Sequence, residues 1–482
     1  MKPTRIDKNK LFTGRESEVA KLHEIAVSNE SSIIIVHGRR RVGKTELIEQ
    51  TFRKRNLLKF EGVEGKSEAF QKQRFIEQLA TFTQDLSIAN IPSSSSWAYL
   101  FEQLAKQVTK GTWTIYIEEL QWMACYQPDL IAELKSVWDN HFRRNNKLLL
   151  ILCGSSPSFF INHVIRSKAL YNRSTYELRI KEFPLSLVHK FLGKRPIKET
   201  FNTYLSLGGI PEYLRLIKKH SSAYLALTAN SFQPDSFLVT EFEKIFISSF
   251  AKSKIYRDII QHLGQFKYMT RQEIIKKLEL ADSSGGVSER LIDLELSGFI
   301  NRYTPVGSKT NSTVARYEIR DNYLSYYFRF IYPNLSSIQN EELKNRASKV
   351  LQHNSYMQWL GLNFEKYCRR NSANIAEILG FGAVEFKSGA LFSRGKSLED
   401  RGFQIDLLFK RKDKVWTVCE IKYGDAVVDI SVVEEVERKI SRLEIPRSVS
   451  VQNVLICSCG VSREVAESGY FDRVIGLEEL VF

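Results

Sequence analysis

The stretch SSIIIVHGRRRVGKTELIEQTF, residues 31–52, decides the fold of the first part of this chain. Its β-branched run Ile33–Val36 predicts a buried strand, and a helical apolar pattern follows as far as Phe52. Between them, Gly38-Arg39-Arg40-Arg41-Val42-Gly43-Lys44-Thr45 matches G-x-x-x-x-G-K-[ST], a loop that cradles phosphates. Lys44 is expected to reach the β- and γ-phosphates, and Thr45 to bind magnesium. The pattern therefore predicts a nucleotide-binding loop in a parallel sheet.

Two further apolar runs end in polar residues. In TWTIYIEELQW, residues 112–122, the predicted strand precedes Glu118, expected to hold magnesium through water, and Glu119, expected to polarise the attacking water. The first acid is most often aspartate at such a position, so Glu118 predicts slow hydrolysis. KLLLILCGSS, residues 147–156, predicts another strand, after which Ser155 could sense the γ-phosphate or simply begin a loop. Arg173 has two interpretations: a finger or sensor for the phosphates, or a solvated side chain.

These pieces resemble the archaeal-type ATPase family, an AAA-like branch of P-loop proteins related to the STAND ATPases. The resemblance covers about residues 10–330 and lies in FTGRESEVAKL, GRRRVGKT, YIEELQW, LCGSS, EFPLSL and LGGIPEYL. It implies a parallel-sheet ATPase core over residues 10–180 and a helical lid over 181–250. It also implies switch-like behaviour, with ATP and Mg²⁺ as cofactors and with Gly14 and Arg15 near the adenine.

Residues 251–335 carry the pattern of a winged helix. Apolar positions recur at helical spacing in TRQEIIKKLEL and again after Gly286. Predicted strands at Ile300–Val306 and Val314–Ile319 flank the polar loop GSKTNST, which would form the wing. The polar positions of the second helix are of mixed charge rather than strongly basic, so DNA contact and packing against the ATPase stay open as alternatives. The aromatic run YLSYYFRFIY predicts core.

Residues 350–482 predict the element order αβββαβ, with helices at Met357–Arg370 and Val432–Leu443 and with strands at Ala383–Phe386, Phe403–Phe409, Val415–Ile421 and Asn453–Cys457. If the turn between the second and third strands centres on Asp413, Asp406 faces Glu420 across an antiparallel pair. Strand periodicity then puts Lys422 on the same face as Glu420. Two carboxylates could hold one Mg²⁺, or Mn²⁺, and the lysine could support phosphodiester hydrolysis. Glu365 is the candidate for a further acid, and Glu385 is the alternative.

This unit resembles the PD-(D/E)XK nuclease superfamily, whose fold is that of restriction endonucleases, and more closely the domain of unknown function that often follows archaeal-type ATPases. The resemblance lies in FE at 364–365, QID at 404–406 and EIK at 420–422, and it covers about residues 355–482. It implies a magnesium-dependent nuclease. The near-neutral charge of this unit favours the alternative, a nuclease fold that no longer cuts and serves as a binding or assembly domain.

The 482 residues carry a net charge of +15, most of it in the first half, which favours a nucleic-acid partner, DNA before RNA. No apolar run approaches the roughly 20 residues needed to span a bilayer, and the N-terminus lacks the apolar core of a signal peptide, so we expect a cytoplasmic protein without membrane contact, with a homo-oligomer left open. Two functions follow. The first is an ATPase that controls a metal-dependent nuclease. The second is a nucleotide-dependent switch or DNA-binding scaffold with slow hydrolysis and an inactive nuclease-like domain. A DNA-translocating motor is a weaker alternative.

Overall fold

The computed structural model describes residues 3–10, 12–166, 170, 174–250, 253–279, 285–305, 315–344, 346–393 and 402–482. Within these ranges the chain forms a parallel sheet with flanking helices, a helical segment, a small three-stranded unit and a C-terminal mixed sheet. The predicted α/β multidomain fold with a P-loop parallel-sheet core is confirmed, and the C-terminal domain, predicted with the element order αβββαβ, contains a mixed sheet.

Five parallel strands make up the first sheet in the described part of the chain, in the order β2-β3-β4-β1-β5. They are β1 Ser32–His37, β2 Asn56–Glu61, β3 Trp113–Glu118, β4 Leu149–Gly154 and β5 Ser174–Arg179. The helices are α1 Glu16–Ala26, α2 Lys44–Phe52, α3 Glu68–Thr83, α4 Leu86–Ala89, α5 Trp97–Gln107, α6 Leu120–Met123, α7 Asp129–Asn140 and α8 Pro157–Phe159. β1 and β4 are buried along their whole length, as expected of central strands covered on both faces.

The strand order places three candidate segments at one edge of this sheet. Parallel strands point the same way, so the residues that follow them share the carboxyl edge. The phosphate loop follows β1, Glu118 ends β3, and Ser155 follows β4, which lies between the other two.

The next segment is helical and ends in the three-stranded unit. The helices are α9 Leu185–Leu192, α10 Ile197–Leu207, α11 Pro211–Lys218, α12 Ala223–Ser231 and α13 Phe237–Phe250. The unit comprises α14 Lys254–Gln265, β6 Met269–Thr270, α15 Arg271–Lys277, α16 Gly285–Leu296, β7 Ile300–Tyr303 and β8 Arg316–Ile319, followed by α17 Asn322–Tyr326 and a π-helix, Tyr327–Ile331. β7 and β8 pair antiparallel, and both are shorter than predicted. The predicted wing loop lies outside the described residues. The aromatic run is buried, as predicted.

The C-terminal unit contains α18 Leu335–Gln339, α19 Ala347–Val350, α20 His353–Arg370, α21 Ser372–Ile378, β9 Phe386–Ser393, β10 Phe403–Arg411, β11 Val415–Lys422, α22 Ser431–Ile440, β12 Ser450–Cys457, α23 Arg463–Glu467 and β13 Arg473–Ile475. In the described ranges its sheet order is β13-β12-β11-β10-β9. The predicted strand Ala383–Phe386 was placed too early. The backbone N–H of Val384 bonds to Phe381 in a turn, and the strand begins only at Phe386.

The helical segment and the C-terminal unit share one hydrophobic core. A single buried cluster runs from Phe183 to Leu480, and the rings of Phe201 in α10 and Phe364 in α20 pack with centroids 5.7 Å apart. The backbone N–H of Ser186 donates to the carbonyl of Phe482 at 3.0 Å. The predicted domain boundaries at residues 251 and 350 therefore fall within the stretch of chain that forms this core, whereas the boundary at 181 precedes it. Across the described residues, no helix has the length and apolar character required to span a bilayer.

Candidate functional site

The phosphate loop connects the end of β1 to the start of α2. Gly43 adopts φ 91°, a conformation that favours glycine, and a Cβ on Gly38 would approach the carbonyl oxygen of Ile180 to 2.3 Å. The ammonium of Lys44 is buried and donates to the carbonyl oxygens of Gly38 and Arg39, both at 2.9 Å. The loop thus curls around its own lysine, and the first turn of α2 offers its N–H groups to an anion.

Thr45 and Glu118 meet in the position expected of a magnesium site. The Thr45 hydroxyl donates to Glu118 Oε1, and Lys59 Nζ lies 2.6 Å from Glu118 Oε2. Burial opposes the charge of Lys59, but attraction to Glu118 outweighs it and raises the lysine pKa. A hydroxyl and a carboxylate side by side are oxygen donors of the kind that Mg²⁺ prefers, so these residues fit the ion. Bound there with ATP, Mg²⁺ would neutralise phosphate charge.

Glu119 is held against the end of β4. Its φ of 51° is left-handed, and its Oε2 atom accepts from the backbone N–H of Ser155 at 3.1 Å and from the Ser155 hydroxyl at 2.7 Å. The amide of Gln121 donates to the same oxygen. Ser155 therefore orients Glu119. Its predicted contact with a γ-phosphate, and the role of Glu119 toward water, stay predictions. Arg173 lies outside the described residues.

The three arginines of the loop each contact a different segment of the chain. Arg39 pairs with Asp321 at the start of α17, and its guanidinium lies 4.5 Å from the ring centroid of Phe299. Arg41 Nε lies 2.7 Å from a carboxylate oxygen of Glu241 in α13. The paired carboxylates are almost completely buried, with side-chain exposures of 2% and 0%. The loop is thereby tied to two downstream helices.

Unlike Arg39 and Arg41, Arg40 points toward solvent, and its guanidinium lies 3.7 Å from the carboxylate of Glu64 in an exposed ion pair.

Gly14 and Arg15 pack behind the loop. Arg15 is buried, with φ 68°, and donates to the carbonyl oxygens of Val42 at 3.1 Å and Lys181 at 2.5 Å. Its guanidinium also lies 4.8 Å from the ring centroid of Phe183. Burial lowers the Arg15 pKa despite the neighbouring Glu18. Arg15 thus joins the back of the phosphate loop to the start of the helical segment, and its proximity to an adenine stays a prediction.

The second candidate site lies on the C-terminal sheet, where the predicted hairpin register is confirmed. Leu407 pairs with Cys419 and Lys410 with Trp416, so extending the register by one pair places Asp406 opposite Glu420. Asp406 Oδ2 accepts from the backbone N–H of Ile421 at 3.1 Å. Both carboxylates are buried.

Glu420 is bonded to two lysines. Lys439 Nζ, from α22, lies 2.8 Å from each of its oxygens, and Lys422 Nζ lies 2.9 Å from Oε1. Both lysines also bond Glu435 in α22, at 2.8 and 2.7 Å. Two carboxylates and two ammonium groups therefore form a closed square of ion pairs.

Burial sets the protonation of the facing acids. It raises the pKa of Asp406, with the nearby Glu365 adding to the effect, and it raises the pKa of Glu420, with Asp406 adding to it. Burial also opposes ionisation of Glu435, but hydrogen bonds from Lys422 and Lys439 lower that pKa to about 2. In this square of ion pairs, the two lysines therefore favour the ionised form of Glu435, whereas burial disfavours the ionised form of Glu420.

Glu365 reaches the same cluster from α20. The amide of Gln404 donates to Glu365 at 3.2 Å and to Asp406 at 2.9 Å, which bridges the two acids. Arg369 lies 3.2 Å from Glu365. Glu385, the alternative, lies near Lys412 in the hairpin turn, about 20 Å along β10 from Asp406 at roughly 3.3 Å per residue. The geometry therefore favours Glu365 over Glu385.

As arranged, this cluster does not fit a metal ion. Within the described ranges, no three His, Cys, Asp or Glu side chains are arranged so that they could hold a metal ion. The ammonium of Lys439 binds both oxygens of Glu420, so it competes with any cation for that carboxylate. Sequence reasoning missed Lys439 and Glu435. Their signal was present as an acid and a base four residues apart on the helix after the EIK strand.

Two family models match separate parts of the chain. Residues 12–217 match the family of ATPase domains predominantly from Archaea, and residues 327–439 match a family of archaeal and bacterial proteins of unknown function. The chain therefore carries an archaeal-type ATPase domain joined to the C-terminal domain of that second family. The uncharacterized protein MJECL04 of Methanocaldococcus jannaschii is 28% identical over 418 residues, which cover 86% of this chain and 88% of that protein.

Several solved structures are also similar. The Walker-type ATPase PABY2304 of Pyrococcus abyssi is 17% identical with a TM-score of 0.48, covering 68% of this chain and 98% of that one. The ORC2 protein of Aeropyrum pernix is 11% identical with a TM-score of 0.44, covering 70% and 96%. Cdc6p of Pyrobaculum aerophilum is 13% identical with a TM-score of 0.32, covering 71% and 100%. The ATPase assignment itself comes from residues 12–217.

Proposed function

We propose that this ATPase is a nucleotide-dependent switch, in which the state of the phosphate loop controls the C-terminal half of the chain. The observation that carries the proposal is the pair of buried contacts from the loop, Arg39 with Asp321 and Arg41 with Glu241. Neither carboxylate belongs to the nucleotide-binding sheet. If the loop changes its backbone conformation when phosphates bind, both arginines are displaced. Their carboxylate partners stand at the start of α17 and in α13, so these two helices would respond.

The free energy of nucleotide binding and the cost of breaking these ion pairs are of comparable size, as a switch requires. Breaking a buried ion pair costs about 3–5 kcal/mol. A ligand with a dissociation constant of about 1 μM supplies about 8 kcal/mol. Intrinsic binding of this strength can therefore offset the loss of one such pair and still leave net affinity, but the loss of both pairs would cancel most of it, so the nucleotide and the downstream helices compete for the same loop.

Hydrolysis by this site is expected to be slow. Glu119 Oε2 already has three donors, from Ser155 and Gln121, and must release them before it can act on water. Glu118 is likewise shared between Thr45 and Lys59. A long-lived ATP state suits a switch better than a processive motor.

The test is hydrogen–deuterium exchange of the full chain with and without ATP. We expect ATP and Mg²⁺ to change the protection of α17 and α13 in the wild type and in Glu119→Gln, but not in Lys44→Ala. The glutamine variant separates binding from hydrolysis, since it keeps the loop. Identical protection of both helices with and without bound ATP would show that the arginine contacts transmit nothing.

Residues 251–335 are proposed to be a winged helix that serves as a packing module rather than a DNA reader. The second helix, α16, faces the ATPase domain. Arg179 in β5 donates to the carbonyl oxygen of Leu296 at 2.5 Å, and Asp293 accepts from Asn162 at 3.4 Å. Within the unit itself, Tyr256 of α14 donates to Asp293 at 2.6 Å. A helix engaged in this way has little free surface for a DNA groove.

A second candidate function is metal-dependent cleavage of nucleic acid by the C-terminal domain. The convergence of Asp406, Glu420 and Lys422 favours it, but Lys439 must first leave Glu420. The test uses supercoiled plasmid and single-stranded DNA with Mg²⁺ or Mn²⁺, with and without ATP, for the wild type and Lys422→Ala. Cutting that disappears in the variant supports this candidate. DNA left intact under every condition leaves the switch as the function.

A further inference from the structure

A cationic cleft separates the three-stranded unit from the C-terminal unit. One cavity, of about 350 Å³, lies between β7, β8, α20 and β9. A second, of about 790 Å³, continues from it between α14, the π-helix and α20, and the two share Lys267, Lys366 and Arg369. The cleft belongs neither to the nucleotide loop nor to the square of ion pairs.

The first cavity is strongly positive. Among the described residues its lining has one carboxylate, Glu318, against six cationic side chains, Lys267, Arg302, Arg320, Lys366, Arg369 and Arg370. Arg369 pairs with Glu365, and Arg370 donates to the backbone carbonyl oxygens of Ile319 and Arg320. Across the described ranges, no carboxylate lies within ion-pair distance of the remaining four.

The pKa of Lys366 is affected by the cations that surround it in the first cavity. Burial lowers its pKa to about 8, and Arg370, Arg369 and Lys267 add to the shift against the opposing Glu318. Cations that repel one another with so few local counter-charges are stabilised when an anion enters. By contrast, the partly buried lysines Lys59 and Lys439 have carboxylate partners. The electrostatics of the cleft therefore favour the binding of an anion.

Aromatic rings accompany the charges. Phe392 is 38% exposed with the ammonium of Lys267 4.8 Å from its centroid, and Phe266 is 46% exposed at the second cavity. Tyr303 lines the first cavity. A positively charged groove with ring faces beside it is how proteins hold single-stranded nucleic acid, because bases stack on the rings while cations follow the phosphates.

The cleft also reaches the acids of the C-terminal sheet. Lys267 Nζ lies 3.4 Å from Gln404 Oε1, and Gln404 Nε2 bonds Asp406 Oδ1 at 2.9 Å. Glu365 lines the second cavity. A strand in the cleft would pass beside Asp406.

We propose that the cleft binds a single strand of nucleic acid, with Lys267, Arg302, Arg320 and Lys366 contacting its phosphates. A duplex does not suit cavities enclosed between two units, whereas an extended strand does. This inference deepens the nucleic-acid part of the second candidate function but needs neither cleavage nor ATP.

The test measures fluorescence anisotropy of labelled 20-nucleotide oligo(dT), oligo(rU) and a 20-bp DNA duplex with the full chain in EDTA, without nucleotide. Four phosphate contacts predict a salt slope of about −2.8 for a single strand, so the dissociation constant should rise about 50-fold between 50 and 200 mM salt. Lys366→Ala and Arg302→Ala each remove one contact and should show about an 18-fold rise, with weaker binding throughout. Arg302 is exposed on its strand, so that variant keeps the fold.

Lys412→Ala is the matched control, because Lys412 is exposed in the hairpin turn at the far end of β10. Binding of either single strand that weakens in both cleft variants and not in the control supports the proposal. Equal binding by the wild type, the cleft variants and the control overturns it, as does tighter binding of the duplex. Because the assay contains EDTA and no ATP, failure of the switch or of cleavage would leave this result unchanged.

Discussion

Replacing Lys439 by methionine tests whether this lysine stands in for a metal ion. Methionine keeps the unbranched chain and the packing of α22 but removes the ammonium that binds both oxygens of Glu420. Glu420 has a side-chain exposure of only 3% and would retain Lys422 at 2.9 Å. Breaking a buried pair outright costs about 3–5 kcal/mol, and the remaining partner should reduce the loss to about 2 kcal/mol.

That loss and its reversal by magnesium can both be measured by calorimetric unfolding. With an unfolding entropy of about 2.1 cal/mol/K per residue, a loss of about 2 kcal/mol lowers Tm by about 2 °C for a chain of this length. If the vacated position binds Mg²⁺ with a dissociation constant of about 0.1 mM, 10 mM Mg²⁺ returns about 2.7 kcal/mol. Lys439→Met should therefore regain its Tm in magnesium, while the wild type gains little because its lysine competes.

Lys412→Met supplies the control, since Lys412 is solvent-exposed and lies at the distant hairpin turn. Its Tm should match the wild type with and without magnesium. A Lys439→Met protein that magnesium does not stabilise beyond the wild type would refute the reasoning. Strong stabilisation of the wild type by magnesium would do so as well, by showing that Lys439 does not compete.

Three further outcomes are expected. Lys44→Ala should lose nucleotide binding, measured by titration with a fluorescent ATP analogue, and should also lower Tm in the absence of nucleotide, because the carbonyl oxygens of Gly38 and Arg39 lose their donor. Asp321→Asn and Arg39→Ala should show a coupling of about 3 kcal/mol in a double-mutant cycle of unfolding free energies, since each change leaves the other group buried and unpaired; additive effects would contradict this. The pKa of Glu435 is about 2, below its ordinary 4.5, so its contribution to stability is present above pH 4.5 and lost as pH falls toward 2. Glu435→Gln should flatten that acid limb in Tm against pH.

The features that could be predicted from the sequence are those determined by residues close together in the chain. The loop from Gly38 to Thr45 is a contiguous motif, so its place between β1 and α2 follows from local pattern. The pairing of Asp406 with Glu420 follows from a short turn, because hairpin register is set by the turn that joins the strands. The strand before Phe386 was misplaced because an apolar pair in a turn has the same composition as a short strand.

The partners of these groups could not be predicted because they are distant in the chain. Asp321 lies 282 residues from Arg39, and no periodicity connects the two. Lys59 interrupts an apolar strand, which marks it as unusual but does not identify Glu118 as its partner. The roles assigned to Glu119, Ser155, Arg15 and the C-terminal acids stay predictions until they are tested.

The shared core from Phe183 to Leu480 has a consequence for how such proteins diversify. Although two separate families match this chain, the second cannot be transplanted alone between relatives, because its α20 packs against α10 of the helical segment. A chimera should fold only if both halves of that contact come from the same parent. Gene shuffling would then move the segment after residue 181 as one cassette, and any exchange of the nucleotide-binding sheet would also have to keep the pairs of Arg39 with Asp321 and of Arg41 with Glu241.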